Sequence, residues 1–158
     1  MDLKVKLLID RALNEILTAK VLKKLSEVSS LKKNLEIPKD SSFYSDVIGH
    51  SYYALFYSAK AYLLSMKVNL KSQQGQHQQV YYEFRKLVYK GIIDKDLLNL
   101  YNNVKGKAEI LLDILKTERA KRTNFTYKTL PQANKFPAEE SLDNAISFVS
   151  HIRRFLKQ

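Results

Sequence analysis

Apolar residues recur along most of this chain at alternating spacings of four and three, the signature of one face of an α-helix. Val5, Ile9, Ala12, Ile16 and Ala19, widened by Leu13 and Leu17, predict a first helix from about Leu3 to Ser26. The pattern resumes within Ser41–Lys67 as Ile48, Tyr52, Leu55, Ala59, Tyr62 and Met66. His77, Tyr81, Phe84 and Val88 mark a third, shorter helix that Gly91 stops. Leu97, Tyr101, Val104, Ala108, Leu111 and Leu115 predict a fourth from about Lys95 to Ala120, with Asp94 as its cap. Leu142, Ala145, Val149, Ile152 and Leu156 predict a last helix, with Pro137 in its first turn. Val28–Asp40 loses the period and reads as a polar linker, in which Asp40, Ser41 or Ser42 is placed to cap the next helix. Thr123–Pro137 reads as a second loop. Strand-like alternation is absent. The expectation is an all-α fold, an antiparallel up-and-down bundle of four to five helices forming one domain over residues 1–158.

The Ser41–Lys67 helix differs from the others. Ser51, Ala54, Ser58, Ala61 and Ser65 make a second seam, about 100° from the first, of small residues only. Asp46, Tyr53, Lys60 and Lys67 leave a thin polar edge. A helix apolar on most sides belongs at the centre of a bundle, and small residues let a neighbouring backbone approach closely.

Composition narrows the functional classes. Net charge is +11, from 27 Lys and Arg against 16 Asp and Glu, which favours phosphate polymers, anionic surfaces or an acidic partner. Cysteine is absent, so disulfides and thiolate metal sites are excluded. No apolar run reaches the roughly 20 residues of a membrane span, and acids and bases interrupt the N-terminal pattern as no signal peptide allows. A cytoplasmic protein with no membrane contact is expected. HExxH, zinc-spaced His/Cys and Walker sequences are missing, and neither a metal nor a cofactor is expected.

Two basic and aromatic clusters remain. One is KTERAKRTNFTY, residues 116–127, where a further heptad on the Tyr101–Ala108–Leu115 line lands on Arg122, with Arg119 one turn earlier and Asn124 just beyond. A guanidinium continuing a core-facing line needs a partner or a wet groove, which suits a phosphate or RNA site. Alternatively the helix has ended there and the arginines are solvated. The other cluster is His50, Tyr53, Tyr57 and Lys60, within roughly 40° of one line on the central helix. Such a row can stack a base and meet its phosphate, or it can be a core edge whose polar atoms are satisfied by neighbours. His77 and His151 read as packing or surface residues.

Two segments together resemble the HEPN-domain family. HSYYALFYSAKAYLLSMKVNLKSQQGQH, from His50 to His77, is similar to the family's signature helix, with Tyr52, Tyr53, Ala54, Phe56, Ala59 and Ala61 matching. ERAKRTNFTY, with the Pro-containing loop and the final amphipathic helix, is similar to its C-terminal portion, Arg122 and Tyr127 falling at the family's spacing. The resemblance implies a small stand-alone bundle, commonly a homodimer, often paired with a minimal nucleotidyltransferase in toxin–antitoxin systems. It also implies metal-independent endoribonuclease activity in many members, through an arginine followed after four to six residues by histidine. Here Arg122 is followed by Thr-Asn-Phe-Thr-Tyr, and no histidine comes before His151. Tyrosine, with a reference pKa of about 10, replaces histidine poorly in proton transfer near neutral pH. The leading expectation is therefore RNA or nucleotide binding in a basic groove formed by Arg119, Arg122, Asn124, Tyr127, Tyr57 and Lys60. A toxin-like ribonuclease, using Arg122, Tyr127 and a spatially substituted His50 or His77, and a purely structural homodimeric interaction module are the rivals.

Overall fold

The computed structural model describes residues 2–71, 74–121 and 135–157, with only the helical backbone described for 113–121. Six helices account for nearly all of these residues: α1 (Leu3–Glu27), α2 (Ser29–Asn34), α3 (Tyr44–Ser65), α4 (Gln76–Tyr89), α5 (Lys95–Lys121) and α6 (Lys135–Leu156). The described residues contain no strand, so the protein is an all-α bundle.

The helices lie close to where the hydrophobic period places them, and their ends follow local chemistry. Asp2 caps α1 by accepting from the Lys4 amide at 2.7 Å. Asp94 Oδ1 accepts from the Asp96 amide at 2.9 Å at the head of α5. Gly91 follows α4 with φ +70°, a left-handed conformation that glycine adopts without steric cost. Two boundaries differ from the sequence expectation. The linker contains a sixth helix, α2, too short to display a hydrophobic period but held by Lys32, whose ammonium folds back onto the Lys39 carbonyl at 3.1 Å. And none of Asp40, Ser41 or Ser42 caps α3. Its cap position is Phe43, without a side-chain bond, and the Phe43 amide instead donates to Ser26 Oγ of α1 at 2.8 Å. Tertiary contact replaces local capping there.

α3 is the axis of the bundle. It packs most extensively on α1, then on α6, and touches α4 and α5 as well. Ser51, Ala54, Ser58 and Ala61 of its small seam are all fully buried, as are Ala12 and Ala19 of α1. The buried hydroxyls are satisfied within the helix, Ser51 donating to the Val47 carbonyl and Ser58 to that of Ala54. One continuous core joins Val5 and Ile9 of α1 to Phe84 of α4, Tyr101 of α5 and Phe148 of α6. The aromatic rings of Phe84, Tyr101 and Phe148 meet at 5.4–5.9 Å between centroids. Met66, expected at the end of the inward row, follows the last turn of α3 and is 44% exposed.

Candidate functional site

The polar edge of α3 is where the bundle leaves chemistry at the surface. The row His50, Tyr53, Tyr57 and Lys60 lies on the edge of α3 between α1 and α4, and this strip is the α3 groove. His50 and Tyr57 meet α1 through Glu15 and Arg11, and Tyr53 and Lys60 meet α4 through His77 and Gln76. Tyr53 is 42% exposed, while Tyr57 and Lys60 are half-buried. The Tyr53 and Tyr57 rings lie 6.2 Å apart at 27°, stacked along the helix as an i, i+4 pair. Near the C-terminal end of the row, Lys60 donates to Gln76 Oε1 at 2.6 Å and stands 5.8 Å from the Phe56 ring. There the groove opens into a cleft of about 470 Å³, bounded also by Lys4 and Leu8 of α1 and by Leu64.

On the α1 side the groove carries charge. Glu15 is 5% exposed and holds two partners on its two oxygens: Arg11 Nε at 2.9 Å and His50 Nδ1 at 2.5 Å. The Arg11 guanidinium also sits 5.5 Å from the centre of the Tyr57 ring. A buried carboxylate is costly unless paired, and here each of its oxygens has a partner. With Nδ1 on Glu15, the opposite ring nitrogen of His50, Nε2, is free of that bond, and the residue is half-exposed. A carboxylate fixing one imidazole nitrogen is an arrangement able to orient the other for proton transfer.

On the α4 side the groove is neutral. His77 stacks on Phe56 with centroids 3.8 Å apart at 13° and meets Tyr53 edge-on at 5.5 Å. Burial, aided by nearby Lys60, holds its imidazole below the ordinary histidine pKa. Tyr52 lies 3.1 Å from His77 Nδ1, and its phenol is pushed up to about 12, mainly by burial and then by Glu109 and Tyr53. The phenol therefore stays protonated and shares a hydrogen bond with Nδ1 of the imidazole, whose tautomer sets which group donates. His77 is a packing residue, as its sequence pattern suggested.

Of the residues singled out by sequence, the structure brings together His50, Tyr53, Tyr57 and Lys60. Arg122, Asn124 and Tyr127, together with the Arg119 side chain, lie outside the described residues. Arg11 and Glu15 were missed. A signal for Glu15 existed: it interrupts the heptad line Leu8–Glu15–Leu22, where a carboxylate among apolar neighbours announces a buried partner. His151 bonds its own helix through the Ser147 carbonyl at 2.8 Å and takes no part. Among the described residues no group of three His, Cys, Asp or Glu side chains could hold a metal, and no helix is long and apolar enough to cross a membrane. No family model, no curated protein and no solved structure matches the chain.

Proposed function

We propose that this protein binds single-stranded RNA or a nucleotide along the α3 groove, as a HEPN-like member of a toxin–antitoxin-type pair with a minimal nucleotidyltransferase. The observation that carries this reading is the stacked pair of exposed Tyr53 and half-buried Tyr57, with Arg11 over the Tyr57 ring and Lys60 next along the helix at that same end. An exposed ring such as Tyr53 can receive a base by stacking, while the cations beside Tyr57 meet the phosphates. The net charge of +11 supplies long-range attraction. Arg119, Arg122, Asn124 and Tyr127 extend the basic surface in this reading, and a homodimer doubles the groove. Fluorescence anisotropy with a short single-stranded RNA tests it. Tyr53→Ala and Tyr57→Ala each weaken binding by about ten-fold or more, the cost of one base–aromatic stack. Lys60→Met and Arg122→Ala flatten the dependence of affinity on salt. Unchanged affinity in both tyrosine variants ends the proposal.

One observation favours a second reading, the metal-independent endoribonuclease. The Glu15–His50 pair supplies a histidine with an oriented imidazole, the group that Tyr127 replaces in the sequence motif. In that reaction Nε2 of His50 takes the proton of a 2′-hydroxyl as its oxygen bonds to the adjacent phosphorus. The P–O5′ bond breaks to leave a 2′,3′-cyclic phosphate, and the departing 5′-oxygen takes a proton from water. Cleavage of a generic RNA that survives in His50→Gln eliminates this reading and leaves RNA binding intact.

A further inference from the structure

A second polar feature lies at the opposite end of α3, where α1, α2, α3 and the start of α6 converge. A cavity of about 720 Å³ opens there, with Ser41, Ser42 and Tyr44 on one wall and Lys32, Lys39 and Lys135 around it. Tyr44 and Tyr57 are thirteen positions apart, or roughly 20 Å along the helix axis, so this cavity is separate from the groove.

The residue that sets its chemistry is Lys32. It is only 8% exposed, yet its ammonium makes a single bond, to the neutral carbonyl of Lys39 at 3.1 Å. Among the described residues no carboxylate lies within 4.0 Å of Lys32, Lys39 or Lys135. A buried ammonium with three donors and one neutral acceptor is costly, and an anion removes that cost. Two carboxylates border the space. Glu27 is bonded by Lys23 at 3.2 Å, an ammonium that Glu139 shares at 3.7 Å, so locally four lysines face three carboxylates, Glu27, Asp40 and Glu139. Ser42 adds a second unmet need: its Oγ is shielded from solvent and has no hydrogen-bond partner. The start of α3, which lacks a side-chain cap, stands on the same wall and presents the positive end of its dipole.

We propose that this cavity is a phosphate-binding site, with Lys32 as the buried counter-charge, Lys39 and Lys135 as rim cations and the Ser42 hydroxyl as a neutral donor. The shared chemistry is a phosphate dianion, either free or as the terminal group of a phosphomonoester. The space exceeds what inorganic phosphate fills, which leaves room for an attached organic group. The site does not rest on RNA binding in the α3 groove.

Isothermal titration at fixed ionic strength, with inorganic phosphate, ribose 5-phosphate and ribose as separate probes that carry no base for the α3 groove, tests the assignment on the full chain. Saturable binding of phosphate or the monophosphate, with none of ribose, is the expected result. A tighter monophosphate identifies the phosphomonoester as the source, and equal affinities identify the free ion. Lys32→Met, which keeps the packing stem, weakens both by about ten-fold or more, the loss of one charge-assisted bond. Ser42→Ala weakens them by a few-fold without lowering the melting temperature, because the free protein loses no bond there. Tyr53→Ala and Tyr57→Ala leave phosphate affinity unchanged, which separates this site from the groove. Absence of saturable phosphate binding, or wild-type affinity in Lys32→Met, overturns the proposal. Should Lys32→Met not fold, the double variant Lys39→Ala/Lys135→Ala at exposed positions decides, and wild-type affinity there overturns it equally.

Discussion

His50 and His77 flank the same edge of α3 and have opposite chemistries. His50 faces α1, where a buried carboxylate 2.5 Å away holds its ring. His77 comes from α4 and lies flat on Phe56, its imidazole kept neutral by burial and by Lys60. The residue type is the same in both cases. The surroundings decide: a carboxylate fixes the direction of the His50 ring, whereas burial and then a nearby cation disfavour charge on His77. One wall of the groove therefore presents an oriented, partly exposed ring nitrogen, while the other is a packed neutral surface.

The comparison breaks most visibly at Phe56. That side chain is 4% exposed and supports the His77 ring, so Phe56→Ala costs about 3–5 kcal/mol in urea unfolding through lost burial and cavity formation. A cost below about 1 kcal/mol shows that the α4 wall is not packed as described. On the α1 wall the corresponding change is mild. Glu15→Leu restores the apolar heptad line, and its two partners reach water, Arg11 with a side chain 57% exposed and His50 with one 35% exposed. Its unfolding free energy stays within about 1 kcal/mol of wild type, since replacing a buried ion pair by a packed apolar group is often neutral. The same change removes the hydrogen bond at His50 Nδ1 and moves the imidazole resonances at constant pH, which a purely space-filling Glu15 does not predict.

The smallest effect is a pH dependence confined to the α4 wall. Because the folded pKa of His77 lies below its unfolded value of about 6.5, the unfolded chain takes up this proton first as pH falls. The contribution of neutral His77 is complete above that value and declines as pH drops through it towards the folded pKa. Denaturation midpoints from about pH 7.5 to 5.5 fall less steeply in His77→Phe than in wild type. Lys60→Met moves the His77 titration upward by removing the neighbouring cation, and an unmoved titration disproves their coupling.

The bundle was legible because each long helix repeats its apolar face many times, and Tyr101, Val149 and Ile152 sit buried where the period places them. α2 was not, since six residues give less than two turns and its hold comes from Lys32 turning back on Lys39. The row His50, Tyr53, Tyr57 and Lys60 was also readable, as residues of one helix share a face by geometry alone. Arg11 and Glu15 join that row from 35 positions away in the case of Glu15 and His50, and such a pairing depends on how α1 docks. Composition reported the surplus of lysine but gave no hint that Lys32 is inside.

The Ser51–Ala54–Ser58–Ala61 seam carries a consequence for the groove that overlies it. Interaxial distance follows the side chains at the crossing, so small buried residues on α3 bear on how closely its neighbours approach, α1 being the one it packs on most extensively. Reach across that gap lets the Glu15 carboxylate touch His50. A wedge of one or two methyl groups, as in Ser58→Val, widens the gap and draws the acid from the imidazole without altering any residue in the groove. Fine adjustment of the surface chemistry is thus available to substitutions that no ligand ever touches.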